Sequence, residues 1–197
     1  MNEELRREIL ELGQRDEETR MRLLKEGRLF DGYAEEMERV HLDNAARFST
    51  ILDIHGWPGI SLVGDDGVQV AWVIAQHAIS SPEFQQRCLT HLERAVEIGD
   101  APPAHVAFLT DRIRFNQRVP QRYGTVFDWD EEGEISPWQI EEPETVDQRR
   151  AEVGLPPLAE AVETLRKEVA LEGGPPTGSY EKRQRDIEEW ARRVGWI

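Results

Sequence analysis

Cysteine is nearly absent: Cys88 is the only one in 197 residues. That excludes a disulfide framework and a thiolate metal cluster. The segment FQQRCLTHL sets Cys88 at helical spacing with Phe84 and Leu92, the pattern of a buried structural thiol. Long apolar runs are also missing, since none approaches the roughly 18 residues of a membrane span. The first residues, MNEELRREIL, are charged and carry no apolar targeting core. Basic charge is in deficit. With 24 basic against 39 acidic residues the net charge is −15, which argues against nucleic acid and anionic membrane as partners. The basic pairs Arg149–Arg150 and Lys182–Arg183 are too short to reverse that. Three lysines stand against 21 arginines, a usage common in GC-rich bacterial genomes. A soluble, cytoplasmic protein is the expectation. No Gly-rich phosphate loop, GxSxG elbow or Rossmann fingerprint occurs, so no cofactor is expected.

What is present is mainly helical pattern. Residues 2–27 read as one charged helix with a thin apolar stripe, Leu5, Ile9 and Leu12, then Leu23 and Leu24 after a polar gap. A second helix starts near Asp31, a candidate N-cap, and carries Tyr33, Met37, Val40, Phe48 and Ile51 at three- and four-residue steps. HGWPGISLVGDDG ends it in a turn. A fourth helix starts at SSPEF, with Ser80 or Ser81 to cap and Pro82 in its first turn. A fifth runs from APPAHVAF to about Gln117. TVFDWD and EISPWQI around EEG read as a short hairpin. Helix then returns, broken at Gly154 and two prolines; EGGPPTGS is a linker, and the terminal helix bears Trp190 and Trp196. The class is mainly α: a multi-helix bundle around a buried central helix, with one small β-hairpin. Its expected parts are residues 1–30, a core of 31–172 with the hairpin near 124–140, and 173–197.

The central helix is GVQVAWVIAQHAIS, residues 67–80, which has no formal charge in a chain that is 32% charged. Its apolar side chains surround the axis, which predicts burial on all sides. Gln76 and His77 are the anomaly, because a buried polar group without a partner costs about 1–3 kcal/mol. On the fifth helix Asp111 and Arg112 show the same conflict beside Phe108 and Phe115. Neighbours on a helix diverge by about 100° and pair poorly, so Asp111 is expected to hold His77, fixing its tautomer and raising its basicity. His55 and Trp57 lie at a helix exit, and Gln121, Arg122, Tyr123 and Thr125 on a loop, where sites tend to be built. His55, His77 and Asp111 would suffice as metal ligands, but no ligand spacing within a helix supports this and no metal is expected. His41, His91 and His105 sit among polar neighbours and read as surface residues.

HGWPGISLVG, AQHA, LTDRI, PQRYGT and RRAEVGLPPL, in this order, resemble a bacterial family known only as a domain of unknown function. The resemblance runs from about Asp43 to Leu158 and leaves both end helices outside. It rests on GWP, QHA, DR, QxYGT and GLPPL. It lends no activity, cofactor or fold, but it implies that Gln76, His77, Asp111, Arg112, Gln121 and Tyr123 belong to one unit.

The leading expectation is a small cofactor-independent enzyme acting on an organic small molecule by histidine acid–base chemistry: hydrolysis, isomerisation or cyclisation. His77 would be the acid or base, oriented by Asp111, with Tyr123 and His55 as further proton donors. Arg112 or Arg122 would bind an anionic group, Gln76 and Gln121 would make polar contacts, and Trp57 and Trp72 would line the pocket. The alternative is an acidic protein-binding module, immunity- or antitoxin-like, supported by the net charge and by amphipathic end helices on which Trp190 and Trp196 are expected to be exposed, with the His–Asp–Arg network structural. A metal-dependent hydrolase is the third reading. The end helices would serve a homodimer.

Overall fold

Asn2 starts the first helix. Its side-chain oxygen accepts the Leu5 amide at 3.1 Å, satisfying one of the open donors of the first turn. Helix α1 then runs Glu3–Lys25, with Glu3 and Glu4 at its start and Arg22 and Lys25 at its end, charges that suit the helix dipole. The computed structural model describes residues 1–29, 33–172 and 179–197. The chain in it divides into two units, Met1–Val106 and Ala107–Ile197.

The first unit contains α1, α2 (Glu35–His55), α3 (Ile60–His77), α4 (Pro82–Glu97) and the start of α5 (Pro103–Asn116). Helix α1 packs against both α2 and α3, so the N-terminal helix is an integral layer of this unit. Its contact stripe is Leu5, Ile9, Asp16 and Leu23. Asp31 lies outside the described residues; α2 begins at Glu35, with Ala34 at the N-cap position and no side-chain cap. Phe48 packs edge-on against Trp57 and Phe84, at 5.8 and 6.1 Å between ring centroids. Cys88 is wholly buried in α4.

The turn expected before the central helix is already helical. Helix α3 starts at Ile60 and bends at Gly64, whose φ of 74° and ψ of 176° interrupt it. Gly59 offers no cap, and Asp100 replaces it: its carboxylate accepts the Ser61 amide at 2.6 Å and the Ser61 hydroxyl at 2.9 Å. Along α3 burial is one-sided. Gly67, Val68, Ala71, Ile74 and Ala75 are covered, while Gln69 is exposed and Val70, Trp72, Val73 and His77 are half-buried. Coverage on all sides is therefore not found; the missing charge reflects a broad apolar face.

His105 is buried, contrary to the surface position expected for it. Its ring stacks on Trp72 at 4.7 Å, and Nε2 lies 3.1 Å from Gln69 Oε1. Burial lowers its pKa from 6.5 to about 4.

The second unit holds the rest of α5, a hairpin of β1 (Phe127–Trp129) and β2 (Ile135–Pro137), α6 (Val146–Glu152), α7 (Leu158–Glu172) and α8 (Tyr180–Val194). The strands pair antiparallel, Asp128 opposite Ser136. Asp130 organises the turn by accepting the amides of Glu132 and Glu134 and the Ser136 hydroxyl. Gly154 and the two following prolines separate α6 from α7, as expected, and most of the proposed linker lies outside the described residues. Gly195 takes φ of 89° after α8, which turns the chain so that Trp196 is buried, not exposed. Among the described residues no helix is long and apolar enough to cross a membrane.

Helix α1 approaches α3 closely at Gly13, where a Cβ would overlap the Val70 side chain. Ala is a better helix former than Gly by about 1 kcal/mol, yet Gly13→Ala is expected to lower stability by about 1–3 kcal/mol through overpacking. Denaturant unfolding checks this, and adding Val70→Ala should restore part of the loss. For His105 the depressed folded pKa means that the unfolded state binds the proton first. Stability should thus fall as pH drops from about 6.5 to 4, and His105→Phe should flatten that loss by up to about 3 kcal/mol.

Candidate functional site

Three helices of the first unit each deliver one polar side chain to the same place. Asp16 comes from the middle of α1 and is 2% exposed, and His41 comes from α2 and is 8% exposed. His77 is the last residue of α3, its side chain 38% exposed. His77 Nδ1 lies 2.8 Å from Asp16 Oδ2, and His41 Nε2 lies 3.4 Å from the same oxygen. The two imidazole centroids are 5.0 Å apart. Burial alone would raise the Asp16 carboxyl, but the two imidazoles beside it outweigh that and hold it well below the usual carboxylate range.

Local packing explains the placement. Asp16 is seven residues from both Ile9 and Leu23, on the buried stripe of α1. His41 falls in step with Met37, Asn44 and Phe48, all buried on α2. Asn44 donates to the Leu12 carbonyl at 3.1 Å, tying α2 to α1 one turn before Asp16. Gln85, fully buried on α4, donates to the carbonyls of Ala75 and Gln76 and so fixes the end of α3 that carries His77. Tyr33 completes the group, its hydroxyl 2.6 Å from His41 Nδ1. Burial above all, with the charges of Glu38 and Asp16, pushes the Tyr33 phenol up, so it stays protonated.

His77 is thus paired with Asp16, in place of the Asp111 expected from the sequence. Asp111 belongs to the second unit and has different work. Its fully buried carboxylate accepts the amides of Arg122, Tyr123 and Thr125 and the Thr125 hydroxyl, at 2.7–3.1 Å. Gln121, also fully buried, accepts from Val126 N–H and donates to the Val126 and Trp138 carbonyls. Arg149 and Arg150 add bonds to the carbonyls of Arg122 and Tyr123. The loop of Arg122 and Tyr123 is therefore a structure built around buried polar groups. Arg122 lies 3.6 Å from Glu141 and over the Tyr123 ring, and Arg112 is half-buried on α5.

Of the other expected site residues, Gln76 is buried next to His77, and Trp57 is part of the aromatic core. Trp72 stacks on His105. His55 is exposed at the end of α2, fourteen residues and about 20 Å along the axis from His41. Asp16 and His41 were not anticipated as site residues. A groove in the second unit, lined by Ala159, Val162, Glu163, Arg166 and Lys167, is an open face of α7 and holds none of the expected residues.

Removing the Asp111 carboxylate would leave three amides and a hydroxyl without their acceptor. Asp111→Ala is expected to destabilise the protein by about 2–4 kcal/mol, measured by denaturant unfolding. Asp111→Asn should recover only part of this, since half of its amide group is a donor facing donors.

A search of curated proteins returned no match, and a search of solved structures returned none. A family model matches residues 3–172, which takes in α1 and therefore Asp16, beyond the stretch at which the sequence resemblance began. The chain belongs to the family described as "Family of unknown function (DUF6624)".

Proposed function

We propose that this protein is a small enzyme that acts on an organic molecule by proton transfer at His77. The observation that carries the reading is the Asp16–His77 contact: a buried carboxylate engages Nδ1 of an imidazole that keeps an exposed edge. A carboxylate so placed fixes the tautomer and leaves Nε2 as the nitrogen that meets substrate. His41 and Tyr33 extend the proton path behind it. Hydrolysis, isomerisation and cyclisation all share this requirement. Single, buried Cys88 and the arginine-rich composition support a bacterial cytoplasmic setting. The acidic protein-binding alternative draws on the net charge of −15, whereas burial of Trp196 weakens the end-helix surface it relied on.

A panel of esters, lactones, amides and isomerisable acids, screened with the purified chain, tests the enzyme reading. His77→Ala and Asp16→Asn should each lose about 10²–10⁴-fold in turnover, while His91→Ala should not. Equal turnover by wild type and His77→Ala would remove His77 from the chemistry.

A further inference from the structure

Asp16, His41 and His77 do more than pair. Each offers one ligand atom, and these atoms lie within 4.8 Å of one another. Ligands about 2.1 Å from a tetrahedral ion stand about 3.4 Å apart, and the separations here are 2.8 and 3.4 Å to the shared Asp16 oxygen. Among the described residues no hydrogen bond reaches Asp16 Oδ1 or His41 Nε2, both buried. Asp16 Oδ1 left so, at about 1–3 kcal/mol, and His41 Nε2, 3.4 Å from Asp16 Oδ2, contrast with Asp111 and Gln121, whose polar atoms are taken up by backbone.

We infer that Asp16, His41 Nε2 and His77 Nδ1 form a binding site for one divalent transition-metal ion, most suited to zinc. Two imidazoles and a carboxylate are a ligand set that zinc and its first-row neighbours accept. The Tyr33 hydroxyl on His41 Nδ1 occupies the nitrogen that faces away from the ion and leaves Nε2 as the ligand. Three protein ligands leave a fourth position for water, and the exposed edge of His77 gives the ion an entry path.

The inference rests on the proposal that this cluster is the reactive centre; it narrows the reaction to hydrolysis and moves the proton transfer from His77 to a metal-bound water. With the ion bound, His77 would be a ligand, and the nucleophile would be the water that the ion binds and acidifies. The water oxygen adds to the electrophilic carbon of substrate. The bond to the leaving group breaks with its electron pair, and that group takes a proton from the water.

The full chain, stripped with a chelator, should bind zinc(II) at one ion per chain in calorimetry and give the visible ligand-field absorption of four-coordinate cobalt(II). His41→Ala and His77→Ala should each weaken binding at least about 100-fold, and Tyr33→Phe, which keeps every ligand, by about 10–100-fold. In wild type, zinc(II) should shift the imidazole NMR signals of His41 and His77 and leave those of His55, His91 and His105 in place, a readout that needs no variant to fold. No stoichiometric binding, or zinc shifts at His55 or His91 instead, would overturn the site. Stoichiometric zinc without hydrolysis by the loaded protein would uphold the site and overturn the assignment of hydrolysis to it. Turnover that survives chelation would overturn the metal-dependent hydrolysis and leave proton transfer at His77 as the reaction.

Discussion

Burying the Asp16 carboxylate commits three helices to one arrangement. A carboxylate taken out of water costs several kcal/mol unless donors or positive charge meet it. Here both groups that meet it come from other helices, His41 on α2 and His77 on α3. His77 is brought there by the close approach of α1 to α3 at Gly13, about one turn before Asp16, where a Cβ would strike Val70. Asn44 and Gln85 then hold the flanking backbone. Packing and electrostatics in the first unit are thus one problem, solved at one point.

The second unit shows what ordinary buried polarity looks like. Asp111, Gln121 and Arg150 are each surrounded by backbone groups of a loop that has no regular ladder to satisfy them. Their side chains substitute for missing secondary structure by bonding backbone amides and carbonyls. The Asp16 cluster differs in kind. Its side chains face each other: two imidazoles from different helices meet one carboxylate oxygen at 2.8 and 3.4 Å.

Much of this was legible in the sequence. The helices, the break at Gly154 and the hairpin follow from periodicity and turn residues, and the uncharged stretch of α3 draws attention to His77. The partner of His77 was not legible in the same way, because pairing is tertiary and periodicity only assigns faces. Yet the faces were informative. Asp16 stands where α1 should carry an apolar residue, seven from Ile9 and seven from Leu23. His41 replaces an apolar residue between Met37 and Phe48, and its polar neighbours in sequence concealed that. Asp111 showed a like conflict with burial, but its resolution lay within a dozen or so residues of chain, in backbone amides that no side-chain pattern reveals.

The contact between Asp16 and His77 joins positions 61 residues apart. Closing a loop of that length in a flexible chain costs on the order of 4 kcal/mol in entropy. In the native state helix packing meets that cost. Anything that grips both side chains at once would act as a clip across the unit and, like a disulfide, would weigh mainly on the unfolded chain. A protein with one buried cysteine would thereby have a reversible staple, closed by its own ligand and opened by its loss.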